Sequence, residues 1–291
     1  MKLRFILSAG CFAVLAAGCE MGTGPDETVI IDGVEEESPE ENTVVEEESE
    51  PVSFEVEEED LTSDAAEKVR ADFENGNLEQ KLFEYEKRFS RNDGSYLGDT
   101  EADSQEAFIE GSGPVLVSAP HTTSHIRDGE QRPAEIYTGS MALLVHKYTD
   151  AHVLYNVYEG EDANSVAGGT YKEELGRIVE EYDIELVLDL HGAGRSREFD
   201  LDIGTNYGET VSEEQVELLT YSLNERGIGE VYENHTFAAS QPNTITNYTW
   251  NELDTEAMQL EIHSDYRNPR EDVESYYRML ESLVFFVENA G

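Results

Sequence analysis

Three apolar runs in this sequence end in titratable side chains, and this constrains the fold more than any other feature. "PVLVSAPH" (114–121), "IELVLDLHG" (184–192) and "AMQLEIH" (257–263) are short and almost continuously apolar until their last residues. Between and after them lie stretches with helical spacing: "AEIYTGSMALLVHKYT" (134–149), "TYKEELGRIVEEYD" (170–183), "SEEQVELLTYSLNERG" (212–227) and "EDVESYYRMLESLVFFVEN" (271–289). Strands apolar on both faces need cover on both faces, and the intervening amphipathic helices supply it. The expected architecture is therefore α/β: a three-layer α/β/α sandwich around a mostly parallel, mixed sheet. Further strands are expected at "AHVLYNVYE" (151–159), "FDLDIGT" (199–205) and near "GEVYENHTF" (229–237). One or two leading helices should span 61–91, broken near Gly76. No internal repeat or second domain is visible.

The same alternation locates the chemistry. In open α/β sheets, ligands bind beyond the carboxyl ends of the strands. Here those ends carry His121, then Asp189 with His191, then Glu261 with His263. A strand has period two, so Asp189 and His191 point the same way. A buried Asp–His pair must have partners to offset its desolvation. Two histidines and one carboxylate with an open position form the ligand set of catalytic zinc hydrolases. Glu135 opens the helical stretch after the first strand and is either the third ligand or a charge favoured by the helix dipole. Asp189 can orient an imidazole from behind. A further carboxylate off the metal can act as general base.

The other histidines read differently. His125 competes with His121 as a ligand, but His121 directly ends its strand. His146 and His152 fit structural roles, while His235 and His263 lie near the site without a clear one. Asp200 and Asp202 share one strand face and are potential partners for arginines.

The ends of the chain give separate expectations. Residues 1–18 carry Lys2 and Arg4 before an apolar run, and read as a signal peptide too short to span a membrane comfortably. "LAAGC" then resembles a bacterial lipobox that would make Cys19 a lipidation site, the alternative being ordinary signal cleavage nearby. Loss of Cys11 with the signal leaves no cysteine pair for a disulfide. Residues 20–60 hold 18 acids and no Lys or Arg, so 19–61 is expected to be a disordered, self-repelling tether, with the folded part at 62–291. That part keeps 47 of the 65 acids against 17 Lys and Arg. Its excess negative charge excludes nucleic acid as a partner, because phosphate binding needs the opposite sign. A surface so charged is one that salt screens, as in halophilic proteins. Nothing in the pattern specifies an oligomeric state.

Four segments carry a family resemblance. "SAPHTTSHIRDG", "VLDLHGAGRSREFDLDIGT", "ENHTFAASQPNTITNY" and "AMQLEIHSDYR", in this order and spacing, resemble the N-formylglutamate amidohydrolase family, relatives of zinc carboxypeptidases and succinylglutamate desuccinylases. The resemblance covers about residues 113–270 and implies a zinc-carboxypeptidase-like fold with one Zn2+ per chain. It implies His121, Glu135 and His191 as metal ligands, although a separation of fourteen residues between the first two departs from the compact carboxypeptidase pattern. Glu261 would be the general base and Arg127 a cation polarising the scissile carbonyl. Arg195, Arg197, Arg267, Asn234 and Asn247 would bind substrate. The implied activity is hydrolysis of a C–N amide bond in an N-acyl amino acid or, alternatively, in peptides, poly-glutamate or cell-wall fragments. With a lipid anchor on Cys19, the enzyme would face outside the cytoplasm. A non-catalytic metal- or solute-binding lipoprotein would need the ligands but neither Glu261 nor the arginines.

Overall fold

The computed structural model describes residues 63–91 and 93–290. The expected signal segment, Cys19 and the acidic tether lie outside the described residues. The chain begins with α1 (Asp64–Glu74) and α2 (Asn77–Ser90). The Ser63 hydroxyl caps α1 by accepting from the Ala66 amide at 2.9 Å. Gly76, at φ 70°, makes the break between the two helices in a conformation that most other residues avoid.

The central sheet draws on β1 (Glu106–Ile109), β2 (Val115–Ala119), β5 (His152–Asn156), β7 (Leu186–Gly192), β8 (Leu201–Gly204), β9 (Val231–Glu233) and β10 (Glu256–Ile262). A small second sheet contains β3 (His125–Arg127), β4 (Glu130–Arg132) and β6 (Gly160–Glu161). The remaining helices are α3 (Thr138–Thr149), α4 (Thr170–Glu181), α5 (Glu213–Asn224), α6 (Ile245–Leu253), the single turn α7 (Ser264–Arg267) and α8 (Val273–Asn289). The central sheet runs β1-β5-β2-β7-β10-β8-β9. Only the β1–β5 and β10–β8 pairings are antiparallel, so the sheet is mixed and mostly parallel.

Each face of the sheet has its own core. Val115, Val117, Leu186, Leu188, Leu190, Met258, Leu260 and Ile262 join side chains from α1, α2, α3, α5 and α8. Leu116, Val187 and Ala257 point the other way, into a smaller core with Tyr171, Leu175 and Ile178 of α4 and Ile245 of α6. Helices thus cover both faces, and the fold is an α/β/α sandwich.

The smaller core ends where the chemistry begins. Continuing with period two along that face, Ser118 follows Leu116, Asp189 and His191 follow Val187, and Gln259 and Glu261 follow Ala257. Three adjacent parallel strands therefore change from apolar to polar at the same end. In register, Glu261 lies opposite His191, and Asp189 lies between Ser118 and Gln259.

The structure differs from the sequence expectation at one place that matters. The helix expected from residue 134 starts at Thr138, so Glu135 lies before it rather than opening it. The fourteen residues from His121 to Glu135 make an excursion through the β3–β4 hairpin. Asp128 and Gly129 turn it with φ of 55° and 76°, the geometry that two-residue hairpin loops favour. The chain then returns so closely that the Glu135 amide donates to the His121 carbonyl at 2.9 Å.

Candidate metal centre and its cavity

His121, Glu135 and His191 present ligand atoms to one another within metal-binding range. His191 Nδ1 lies 3.1 Å from His121 Nδ1 and 3.1 Å from Glu135 Oε2, and His121 Nδ1 lies 3.0 Å from Glu135 Oε1. The Gly192 amide donates to Glu135 Oε2 at 2.9 Å, fixing the carboxylate from the β7 side. The hairpin excursion makes this trio possible, because it brings residue 135 back beside residue 121.

Each ring is oriented from behind. His121 Nε2 lies 2.8 Å from Asp162 Oδ1, and His191 Nε2 lies 2.8 Å from Asp189 Oδ2. Asp189 in turn accepts from the Ser118 hydroxyl at 2.8 Å. An ionised carboxylate only accepts, so each Nε2 carries a proton and each Nδ1 is the ring nitrogen left to face Glu135, as a proton donor in the metal-free protein or as a lone pair toward a bound cation. Two imidazole nitrogens and a carboxylate converging in a buried site favour positive charge between them, whether as protons on the rings or as a metal ion. The donor set fits zinc: two imidazoles and one carboxylate, with carboxylates behind the rings.

The electrostatics agree. Burial pulls the His121 imidazole down, but Glu135 and Asp162 outweigh it and lift it to about 9. Burial likewise opposes the charge on His191, which Asp189 and Glu135 nonetheless push well above its ordinary value. Burial raises Glu135, and the two imidazoles more than reverse this. These carboxylates thus demand positive charge at the trio. His125 is not part of it. Its ring stacks on His121 with centroids 3.9 Å apart, and burial together with His121 pulls it to about 4. His121, His125 and Asp162 also converge, but Arg127 already pairs with Asp162 there.

The trio opens into a cavity of about 620 Å³. Glu261 lines it and accepts from Gln259 Nε2 at 3.1 Å. Burial lifts its carboxyl to about 7, with His191 opposing and Glu135 adding to the rise. Arg127 and Arg197 line the cavity as well, Arg197 lying 4.7 Å over the Phe237 ring. The far wall consists of residues 236–244 with Asn164 and Ser165.

Four residues expected at the substrate lie elsewhere. Arg195 faces a separate surface depression, paired with Glu271 and Asp265, because the chain after Gly194 turns it outward. Asn234 is a local brace: its Oδ1 accepts from the Thr205 and Tyr207 amides at 2.9 and 3.3 Å. Asn247 is buried in the first turn of α6, where its Oδ1 accepts from Asn251 Nδ2. Arg267 is buried beneath the site, where its guanidinium donates to three backbone carbonyls. His263 is buried and does not line the cavity, its Nδ1 accepting from the Asp265 amide at 3.2 Å.

Sequence reasoning missed other contributors. Asp162 stands among acids in "YEGEDANS", and only the fold distinguishes it from them. Gln259, between Asp189 and Glu261 in the sheet, was legible by its alternation with Glu261. Asp202 accepts from the amides of His235, Thr236 and Phe237 at 2.7–2.9 Å, so it holds the far wall rather than an arginine. Lys172, buried in α4, donates to the Val166 and Asn243 carbonyls and ties together the two loops of that wall. Burial pulls its ammonium down to about 8.

No family model matches the chain, and no curated protein does. Solved structures do. N-formylglutamate amidohydrolase from Ralstonia eutropha JMP134 aligns at 13% identity and a TM-score of 0.44, over 64% of this chain and 99% of that one. A bacteriophage poly-gamma-glutamate hydrolase aligns at 14% identity and a TM-score of 0.42, over 65% and 89%. Succinylglutamate desuccinylase from Chromobacterium violaceum aligns at 16% and 0.40, over 64% and 68%. The first bears the name of the family that the four sequence segments resemble. Similarity at this level concerns the course of the chain alone.

Proposed function

We propose that this protein is a zinc-dependent hydrolase of C–N amide bonds, acting on N-acyl amino acids or short peptides. One observation carries the reading: His121 Nδ1, His191 Nδ1 and the Glu135 carboxylate face a single point, with each distal ring nitrogen held by its own carboxylate. When bound there, zinc supplies Lewis acidity at a carbonyl oxygen and lowers the pKa of water.

The protein's own groups supply the rest. Glu261, next to His191 on the neighbouring strand and lifted toward neutrality, takes a proton from the attacking water and delivers it to the leaving amine. Arg127 is held by Asp162 at the cavity edge, where its remaining N–H groups can polarise the carbonyl and steady the oxyanion. Arg197, whose Cζ lies 4.7 Å over the Phe237 ring, offers a planar fork to a substrate carboxylate. A metal-storing or solute-binding protein would need neither a buried base at about 7 nor cations lining the cavity.

The reading extends to location. The protein is exported and lipid-anchored through Cys19, a proposal supported by the charged, apolar and lipobox-like order of residues 1–19. Its acidic surface is an adaptation to salt. The test is metal analysis followed by hydrolysis assays on N-acyl amino acids and short peptides. About one zinc per chain, with amide cleavage lost to a chelator and restored by zinc, is the expected result. Purified protein that takes up no zinc would remove the proposal.

A further inference from the structure

Arg267 is the only described arginine that is buried with its guanidinium committed to backbone. Nη1 donates to the Ile136 carbonyl, Nη2 to the Ala193 carbonyl at 3.1 Å, and Nε reaches the Ile262 carbonyl at 3.5 Å. These three carbonyls belong to the residue after Glu135, the second residue after His191 and the residue after Glu261. One planar fork thus joins the segments that carry two of the proposed ligands and the proposed base.

Its surroundings are shaped for this group. A Cβ on Gly192 would come within 2.5 Å of Arg267 Cζ and 2.7 Å of Nη2, so the residue after His191 must be small for the guanidinium to fit. Gly192 itself donates to Glu135. Glu135, Glu261 and Glu86 oppose the cost of burying the charge. Glu86 comes from α2, one of the leading helices, and accepts from the Tyr137 amide at 3.1 Å. Tyr137 has φ 72°, a costly conformation for a non-glycine residue, two positions after Glu135. The turn that presents Glu135 is therefore held from one side by α2 and from the other by Arg267.

We infer that Arg267 is a positioning residue: its buried fork fixes Glu135, His191 and Glu261 relative to one another and thereby sets zinc affinity and turnover, without touching substrate. This rests on the reading of the trio as a zinc site. A lysine cannot span carbonyls in a fork, so Arg267→Lys keeps charge and most of the volume while releasing the clamp. Gly192→Ala should displace the guanidinium from the other side.

The experiment measures zinc dissociation constants by chelator competition, melting of the metal-free protein, and kcat and KM separately. Both variants are expected to bind zinc about 10- to 100-fold more weakly, the scale for losing a group that orients ligands. Once zinc is saturating, kcat should fall while KM changes little. In the Arg267→Lys background, Gly192→Ala should add less than it does alone, since the two act on one contact. Raised KM with unchanged zinc affinity would make Arg267 a substrate contact and overturn the inference. Lower melting temperature with unchanged zinc affinity in both variants would reduce it to ordinary packing, and also overturn it. A wild-type protein without zinc would defeat the proposed function and this inference together, whereas normal wild-type binding with unaffected variants defeats only the latter.

Discussion

The two walls of the cavity are built on different principles. One wall consists of strand ends: His191 and Glu261 are the next-to-last residues of β7 and β10, His121 comes two residues after β2, and the hairpin delivers Glu135 beside them. The other consists of loop backbone, residues 236–244 and 164–165, held by buried charges that never reach the cavity. Asp202 gathers the Thr236 and Phe237 amides of that wall together with that of His235 beside it, and Lys172 donates to two carbonyls. The strand wall fixes side chains where the chemistry needs them. The loop wall fixes shape, and it meets the ligand side mainly where the Asn164 amide donates to Asp162 Oδ1 at 2.9 Å. Damage to the first should therefore appear in metal binding and kcat, and damage to the second in KM.

The largest expected effect tests the strand wall directly. His191→Ala should take zinc from about one per chain to none detectable at micromolar concentrations, and amide hydrolysis with it. Retention of wild-type zinc, read by elemental analysis, would break the distinction between the walls at its root.

Glu261→Gln should separate chemistry from binding on the same wall. Zinc should stay bound while kcat falls by roughly a hundredfold or more, the scale for losing a positioned base. Glu261 accepts a proton only when ionised, and burial lifts it to about 7. Bound zinc draws this carboxyl down from that value, so in the wild type kcat/KM should decline by about tenfold per unit on the acid side of a pH at or below about 7, and the variant should lose this acid limb. A limb that persists in the variant would assign it to another group.

Asp162→Asn tests whether the orienting carboxylates belong to the strand wall. Zinc affinity should drop about 10- to 100-fold, because the amide cannot accept the His121 proton as a carboxylate does. Asp162 also holds Arg127, so KM or kcat should suffer beyond the loss of metal, and activity should stay low at saturating zinc. Full recovery at saturating zinc would deny Arg127 its role.

Lys172→Met should sharpen the contrast from the other side. The two carbonyls lose their donor and the loops loosen, so KM should rise roughly three- to tenfold, on the scale of one or two hydrogen bonds. Zinc affinity should not change. A loss of zinc instead would mean that the walls are mechanically one.

The smallest effect concerns the whole folded part. Its surplus of acids repels in dilute buffer and is screened in molar salt, so the melting temperature should rise by several degrees with salt. A melting point independent of salt would mean that the charge is not an adaptation to it.

The walls also differ in how much of them the sequence discloses. Apolar runs ending in His121, Asp189–His191 and Glu261 announce the strand wall, because period two and sheet topology leave few places for such residues to point. The hairpin carrying the chain from His121 to Glu135 was signalled by Asp128-Gly129 between two short extended stretches. Without that hairpin, the helical pattern over 134–149 drew the helix start four residues too early. Arg195, Arg197 and Arg267 read alike in sequence, since each is a cation near a motif. In the structure they take three environments: a surface ion pair, a ring face in the cavity, and a buried clamp.

The sequence by itself determined the layers, the mostly parallel strands and the end of the sheet at which polar residues collect. These follow from local periodicity and from the need to cover apolar surface, both of which are written along the chain. Only the tertiary structure decided that Asp162 stands behind His121, that Glu135 returns beside it, and that Arg267 lies under the site instead of in it. Each depends on segments 14 to 131 residues apart meeting in space. Asp and Arg read the same along the chain wherever they stand, and only the neighbours supplied by the fold determine whether such a charge orients a ligand, meets substrate or holds the backbone.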